Sequence, residues 1–198
     1  MLSFYVESPS LYHFELLFQY YKRSKHPDCF CCYQLGSYYH NGVYVLYDLK
    51  RATELYQQAV EDGCVYAKND LGAMHILQHQ TIISENESER DHSINKIFEP
   101  DPVYAVKLFR EAAQEEYPVA FFNLGYCYEH GVGIYQDIDQ ATCWYEKATH
   151  GTRAIQQAFI ALGNIYGGDE TSTRYNIQKS LSFFEQARLL FQQQEVRR

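Results

Sequence analysis

Apolar and small residues recur along this chain with the spacing of one helix face, and that face itself recurs. Leu-Gly stands at Leu35-Gly36, Leu71-Gly72, Leu124-Gly125 and Leu162-Gly163, at separations of 36, 53 and 38 residues. Four residues before each Leu lies a small side chain: Cys31, Ala67, Ala120 or Ala158. Three residues after each Gly lies Tyr39, His75, Tyr128 or Tyr166. Positions i, i+4, i+5 and i+8 share one face of an α-helix, so each occurrence predicts an amphipathic helix.

A second register follows the first. Ala52-x-x-Leu55-Tyr56-x-x-Ala59 aligns without a gap on Ala105-x-x-Leu108-Phe109-x-x-Ala112. Ala141-x-x-Trp144-Tyr145-x-x-Ala148 and Ser180-x-x-Phe183-Phe184-x-x-Ala187 continue it. Asp48, Asp101, Asp137 and Asn176 precede these segments by four residues, where a side chain can accept from the free amides of a first helical turn. Pro102 takes the favoured first helical position. Gly42 and Gly131 sit where a left-handed C-cap is wanted, and Gly63 and Gly151 close the second helix in two units. Each unit therefore reads as two antiparallel helices.

The repeated glycine inside the first helix costs about 1 kcal/mol relative to alanine. Its recurrence points to a packing need, with the missing Cβ letting the second helix and its repeated alanines approach.

The distance from Gly to cap is 12, 29, 12 and 13 residues, so the second unit carries an insertion. It lies at about 78–100 (QHQTIISENESERDHSINKIFEP) and holds five acids and two bases. It reads as a loop, with a helical extension of the preceding helix or a partner-specific element built on Ile82, Ile83, Ile97 and Phe98. Upstream, Phe14-x-x-Leu17-Phe18-x-x-Tyr21 resembles a second helix lacking its first, an atypical terminal cap. The fold class predicted is all-α: one right-handed α-solenoid of about nine helices. It divides into a cap (1–30), repeat one (31–66), repeat two with its insertion (67–119), repeat three (120–157) and repeat four with the C-terminal helix (158–198).

Composition narrows the function. Of 198 residues, 46% are apolar, enough for a folded core, and the net charge of -8 argues against nucleic acid as a partner. No apolar run reaches the length of a membrane span, which predicts no membrane insertion. The first residues, MLSFYVESPSLYHFELLF, lack a leading base and contain acids, unlike a signal peptide, so a cytoplasmic-type location is expected. Six cysteines without a C-x-x-C pair read as buried thiols rather than disulfides or a zinc site.

The third unit, Ala120-FFNLGYCYEHGVGIYQDIDQATCWYEKATHG, resembles the Sel1-like repeat, a relative of the tetratricopeptide repeat. Gly131-Val132-Gly133, Asp137, Ala141, Trp144-Tyr145 and Lys147-Ala148 all match that pattern. Repeat one has Tyr44 in place of the second loop glycine, repeat two has His75 in place of the tyrosine, and repeat four loses the Asp and the central Ala. The resemblance, over residues 31–198, implies a non-enzymatic adaptor or scaffold that binds a protein or peptide partner along its groove. Many such proteins are bacterial, including effectors secreted into a host cell, so the host cell is the location expected in that case. No chemistry, cofactor or regular disulfide pairing is implied.

In tetratricopeptide-like stacks the first helices line the concave face. Their groove-facing positions here are Tyr33, Ser37 and His40; Asn69, Ala73 and Ile76; Phe122, Tyr126 and Glu129; and Ile160, Asn164 and Gly167. Gln34, Asp70 and Asn123 flank them. Tyr33, Phe122 and Tyr126 are the candidate aromatic anchors, with packing between neighbouring units as the competing explanation. No basic stripe lines these positions, so a neutral or basic, partly apolar segment suits them better than an acidic one.

Catalytic patterns are weak. His75 and His79 have the i, i+4 spacing of metal ligands, but no third ligand is indicated, and His75 occupies a structural position of the repeat. Gly131-Val132-Gly133 connects two helices without the Lys-Ser/Thr of a phosphate loop. Cys127 and Cys143 could face each other across the third hairpin. No metal or cofactor is expected. The alternatives to an adaptor are a hydrolase using His or Cys on this scaffold, and a self-associating structural protein.

Overall fold

The computed structural model describes residues 9–84, 99–150, 155–168 and 171–196. Among them are nine helices and no strand. In chain order these are α1 (Pro9–Arg23), α2 (Cys29–Asn41), α3 (Leu49–Glu61), α4 (Val65–Ser84), α5 (Pro102–Gln114), α6 (Pro118–His130), α7 (Ile138–Ala148), α8 (Gln156–Gly167) and α9 (Ile177–Val196). This is the helix-pair, all-α solenoid class that the repeats predict. The chain divides into two compact units, Met1–Pro100 and Asp101–Arg198. The insertion does extend the preceding helix, since α4 runs to Ser84. Residues 85–98 lie outside the described residues, as does Gly151.

The caps follow the sequence. Asp48, Asp101 and Asp137 accept from the backbone amides of Arg51, Tyr104 and Gln140, and Asn176 Oδ1 accepts from the Lys179 amide. Gly42 and Gly131 take the left-handed conformation at φ 65° and 67° and end α2 and α6. The amides of Asp48, Asp137 and Asn176 each donate back to the last tyrosine of the preceding helix, at the carbonyls of Tyr39, Tyr128 and Tyr166 (3.1, 2.9 and 2.8 Å). This bond fixes where the chain turns into its second helix.

In the first unit, α1 packs Phe14 against Cys31, Leu35 and Leu55, with its ring edge-on to Tyr38 at 5.2 Å. In the second, Ala141, Tyr145 and Ala148 of α7 form a core with Ala158 and Leu162 of α8.

The internal glycines let the second helix approach closely, as the pattern suggested, and the nearest neighbour in each case is an aromatic ring of that helix, with the Ala52 carbonyl also 3.4 Å from a Cβ at Gly36. A Cβ at Gly36 would stand 2.8 Å from the Tyr56 ring, at Gly125 2.5 Å from the Tyr145 ring, and at Gly163 2.7 Å from the Phe184 ring. Each glycine is a seat for the aromatic that follows Leu55, Trp144 or Phe183.

Candidate partner-binding face

Every candidate position lies on the first helix of its pair: α2, α4, α6 or α8. In the first unit, α2 and α4 bring Tyr33 and Asp70 together. The Tyr33 hydroxyl donates to Asp70 Oδ2 at 3.2 Å, and Asn69 Nδ2 donates to Asp70 Oδ1 at 3.1 Å. The Tyr33 ring lies among three others, with centroids 5.6 Å from Tyr66, 5.9 Å from Tyr56 and 6.4 Å from Phe30. His40 meets Tyr56 edge-on at 6.1 Å, and Ser37 hydrogen-bonds the Tyr56 hydroxyl.

Burial raises the Asp70 carboxyl above the ordinary aspartate range, against the opposing pull of Asn69, Tyr33 and the nearby His40. The Tyr56 hydroxyl is raised by burial and then by Asp70. Among the described residues, no lysine or arginine pairs with Asp70.

The second unit also holds a tyrosine-bound carboxylate, but at a different repeat position and within one hairpin. Tyr145 donates to Glu129 Oε2 at 2.6 Å, a charge-assisted bond, and the Phe122 ring tilts over Tyr145 at 5.6 Å. Tyr126 stacks on His130 with centroids 4.2 Å apart, and Ile160 and Asn164 of α8 are exposed. Burial, then the bond to Glu129, pushes the Tyr145 hydroxyl far above the ordinary tyrosine range.

The expected roster needs correction at two places. Asn69 and Ile76 are only 4% and 6% exposed, so neither presents a surface; Asn69 instead holds Asp70 from below. On α4 the simple register runs into the core at these two positions. Tyr33, Ser37, His40, Ala73, Phe122, Asn123, Tyr126 and Glu129 are half-buried, and Gly167 packs beside Ser180. The second-helix rings Tyr56 and Tyr145, which floor the site, were missed because they read as core. Phe30 and Tyr66 were missed too, although both stand five residues before a repeat leucine.

Cys127 is buried and Cys143 exposed, and both are free thiols, so they do not pair. Burial pushes the Cys31 thiol up to about 11 and the Cys32 and Cys127 thiols up to about 12, which keeps all three protonated at neutral pH. His75 is buried in the core, while the His79 side chain lies outside the described residues. An open depression of about 370 Å³ beside α5, lined by Val103, Arg110 and Ile134 among others, contains none of the candidate residues. No described helix is long and apolar enough to cross a membrane.

Comparison with known proteins covers most of the chain. The Sel1 repeat model matches residues 30–64, 98–117, 118–150 and 157–190. All of α4, with most of the insertion, falls between the first two stretches. The chitin synthase regulator SKT5 of Saccharomyces cerevisiae is 30% identical over 140 residues, covering 59% of this chain but only a fifth (20%) of that protein. A Sel1 repeat protein from Oxalobacter formigenes superposes with a TM-score of 0.67 at 24% identity, over 89% of this chain and 64% of that one. The protective antigen c5321 of uropathogenic Escherichia coli superposes at 0.65 and 18% identity, over 89% of this chain and 33% of the other. These two likenesses concern the fold.

Proposed function

Because the chain belongs to the Sel1 repeat family, we propose that it is a non-enzymatic adaptor that holds a protein or peptide segment on the first-helix faces of its repeats. The observation that carries this reading is that each unit sets a half-buried aromatic beside a tyrosine-bound carboxylate: Tyr33 with Asp70, and Phe122 beside the buried Tyr145 with Glu129. Aromatic side chains with a polar tip are enriched at the anchors of protein interfaces. The protonated thiols weigh against a cysteine hydrolase. The name of the yeast relative, a regulator, favours a regulatory adaptor over a secreted effector.

The test is capture from a cell lysate with wild type and with the triple variant Tyr33→Ala/Phe122→Ala/Tyr126→Ala, its fold checked by circular dichroism. A partner retained by wild type and lost by the folded variant is the expected result. Retention by both would move binding off these faces.

A second reading rests on α9. Tyr56, Phe109 and Tyr145 are 1% exposed, whereas Phe184, at the same repeat position, is 38% exposed, with Leu181 and Phe191 exposed beside it on α9. That face favours self-association, which sedimentation of the wild type and of Leu181→Ser/Phe191→Ser would test.

A further inference from the structure

Asp70 stands immediately before a repeat leucine, where the other three units have Gln34, Asn123 and Ala161. It is the one charged residue of that series, so the repeat architecture does not require it. Its two oxygens each receive one neutral donor, from Asn69 and Tyr33. A carboxylate has about four acceptor positions, so further donors can still be accommodated. Tyr33, which bonds it, is itself flanked by the rings of Tyr66 and Phe30 at 5.6 and 6.4 Å, half-buried to exposed rings whose faces can attract a cation within about 6 Å.

We propose that this junction of α2 and α4 is a cation-reading site that takes one lysine or arginine side chain from the segment of the protein partner bound on this face. The proposal rests on the adaptor reading above. A carboxylate beside aromatic rings supplies both an ion-pair acceptor and a π-face, and a partly dehydrated setting strengthens each. Charge complementarity points the same way: the chain carries -8 and attracts a basic segment. The raised carboxyl of Asp70 adds support, because an ionised group that the free protein stabilises poorly gains from an incoming positive charge. In the second unit, Glu129 is already engaged by Tyr145 at 2.6 Å, so the reader is assigned to Asp70 alone.

The test is selection of a random-peptide display library on the full chain, in parallel on Asp70→Asn, Tyr33→Phe and Glu185→Gln, an exposed acid on α9. Each protein is first checked for an unchanged circular dichroism spectrum. The expected result is a wild-type consensus with one fixed Lys or Arg among apolar residues. Glu185→Gln should keep that position and Asp70→Asn should lose it. The synthetic consensus peptide should bind Asp70→Asn about tenfold or more weakly than wild type. Tyr33→Phe, which keeps the ring and removes the hydroxyl that orients Asp70, should show a smaller loss and decides the matter if Asp70→Asn is unfolded. A consensus without a fixed basic residue, or one that Asp70→Asn retains, overturns the cation site and leaves the adaptor standing. No consensus from the folded wild type overturns both.

Discussion

The α2–α3 and α6–α7 hairpins trace the same backbone and fill it differently. Both begin their loop with a left-handed glycine, Gly42 or Gly131, and both place a second left-handed residue two positions on. In the α6–α7 loop that residue is Gly133, and a Cβ there would collide with the carbonyl of Pro102. In the α2–α3 loop it is Tyr44 at φ 63°, a conformation unfavourable for a side chain, and its ring packs 6.0 Å from Phe14 and 5.7 Å from Tyr38. Where a backbone must pass, glycine is needed; where α1 offers rings, a tyrosine can be held in the same conformation by its contacts. The seats beneath differ as well. Tyr145 lies deeper against Gly125 and is bonded to Glu129, whereas Tyr56 lies against Gly36 with Ser37 and His40 beside it. The hairpin of the second unit is the tighter and more committed of the two; in the first unit the carboxylate, Asp70, stands outside the hairpin, on α4, where it accepts one neutral donor on each oxygen.

The sharpest way to break this comparison is at the ring seats. Gly125→Leu should lose about 3 kcal/mol or more, because the Tyr145 ring is enclosed and cannot retreat. Alanine at Gly125 should lower the melting temperature more than alanine at Gly36, matching the 2.5 and 2.8 Å approaches; equal melting temperatures would remove the seat argument. Next in size, Tyr145→Phe should cost about 2 kcal/mol through the lost bond to Glu129, and Tyr56→Phe about 1 kcal/mol, both read from urea denaturation.

A smaller effect of opposite sign is expected where glycine is absent from a left-handed position. Glu116, at φ 56°, occupies the place that Gly63 holds in repeat one. Glu116→Gly should raise stability by about 1 kcal/mol, whereas Tyr44→Gly should gain nothing, since its relief is offset by the lost ring contacts. The smallest effect concerns Asp70→Asn. A carboxyl raised in the folded state binds its proton more tightly folded than unfolded, so the wild-type aspartate loses stability as pH rises from the ordinary value of 3.8 through its folded value. Asp70→Asn should therefore gain relative to wild type at neutral pH and lose that gain in acid. A gain that persists below that range would mean that the carboxylate is not the cause.

How much of this was legible follows from what repetition can encode. The pairs, caps and loop glycines were readable because Leu35, Leu71, Leu124 and Leu162 set one register and Asp48, Asp101, Asp137 and Asn176 another. The reason for Gly36, Gly125 and Gly163 was half readable: close approach follows from glycine, but that a ring does the approaching depends on which way Tyr56, Tyr145 and Phe184 turn. The candidate positions all fall on first helices, yet Asn69 and Ile76 are buried because depth across a helix depends on its neighbours, which a period of 3.6 residues does not contain. The meeting of Tyr33 with Asp70, 37 residues apart, joins two successive repeats and has no signature within either one.

The most direct test of the central claim is hydrogen–deuterium exchange on the full chain with and without its captured partner. The account predicts slowed exchange in α2, α4 and α6, centred on the turns that bear Tyr33, Asp70 and Phe122, with α3, α5 and α7 unchanged. Protection confined to those second helices, with the first helices exchanging as in the free chain, would contradict it.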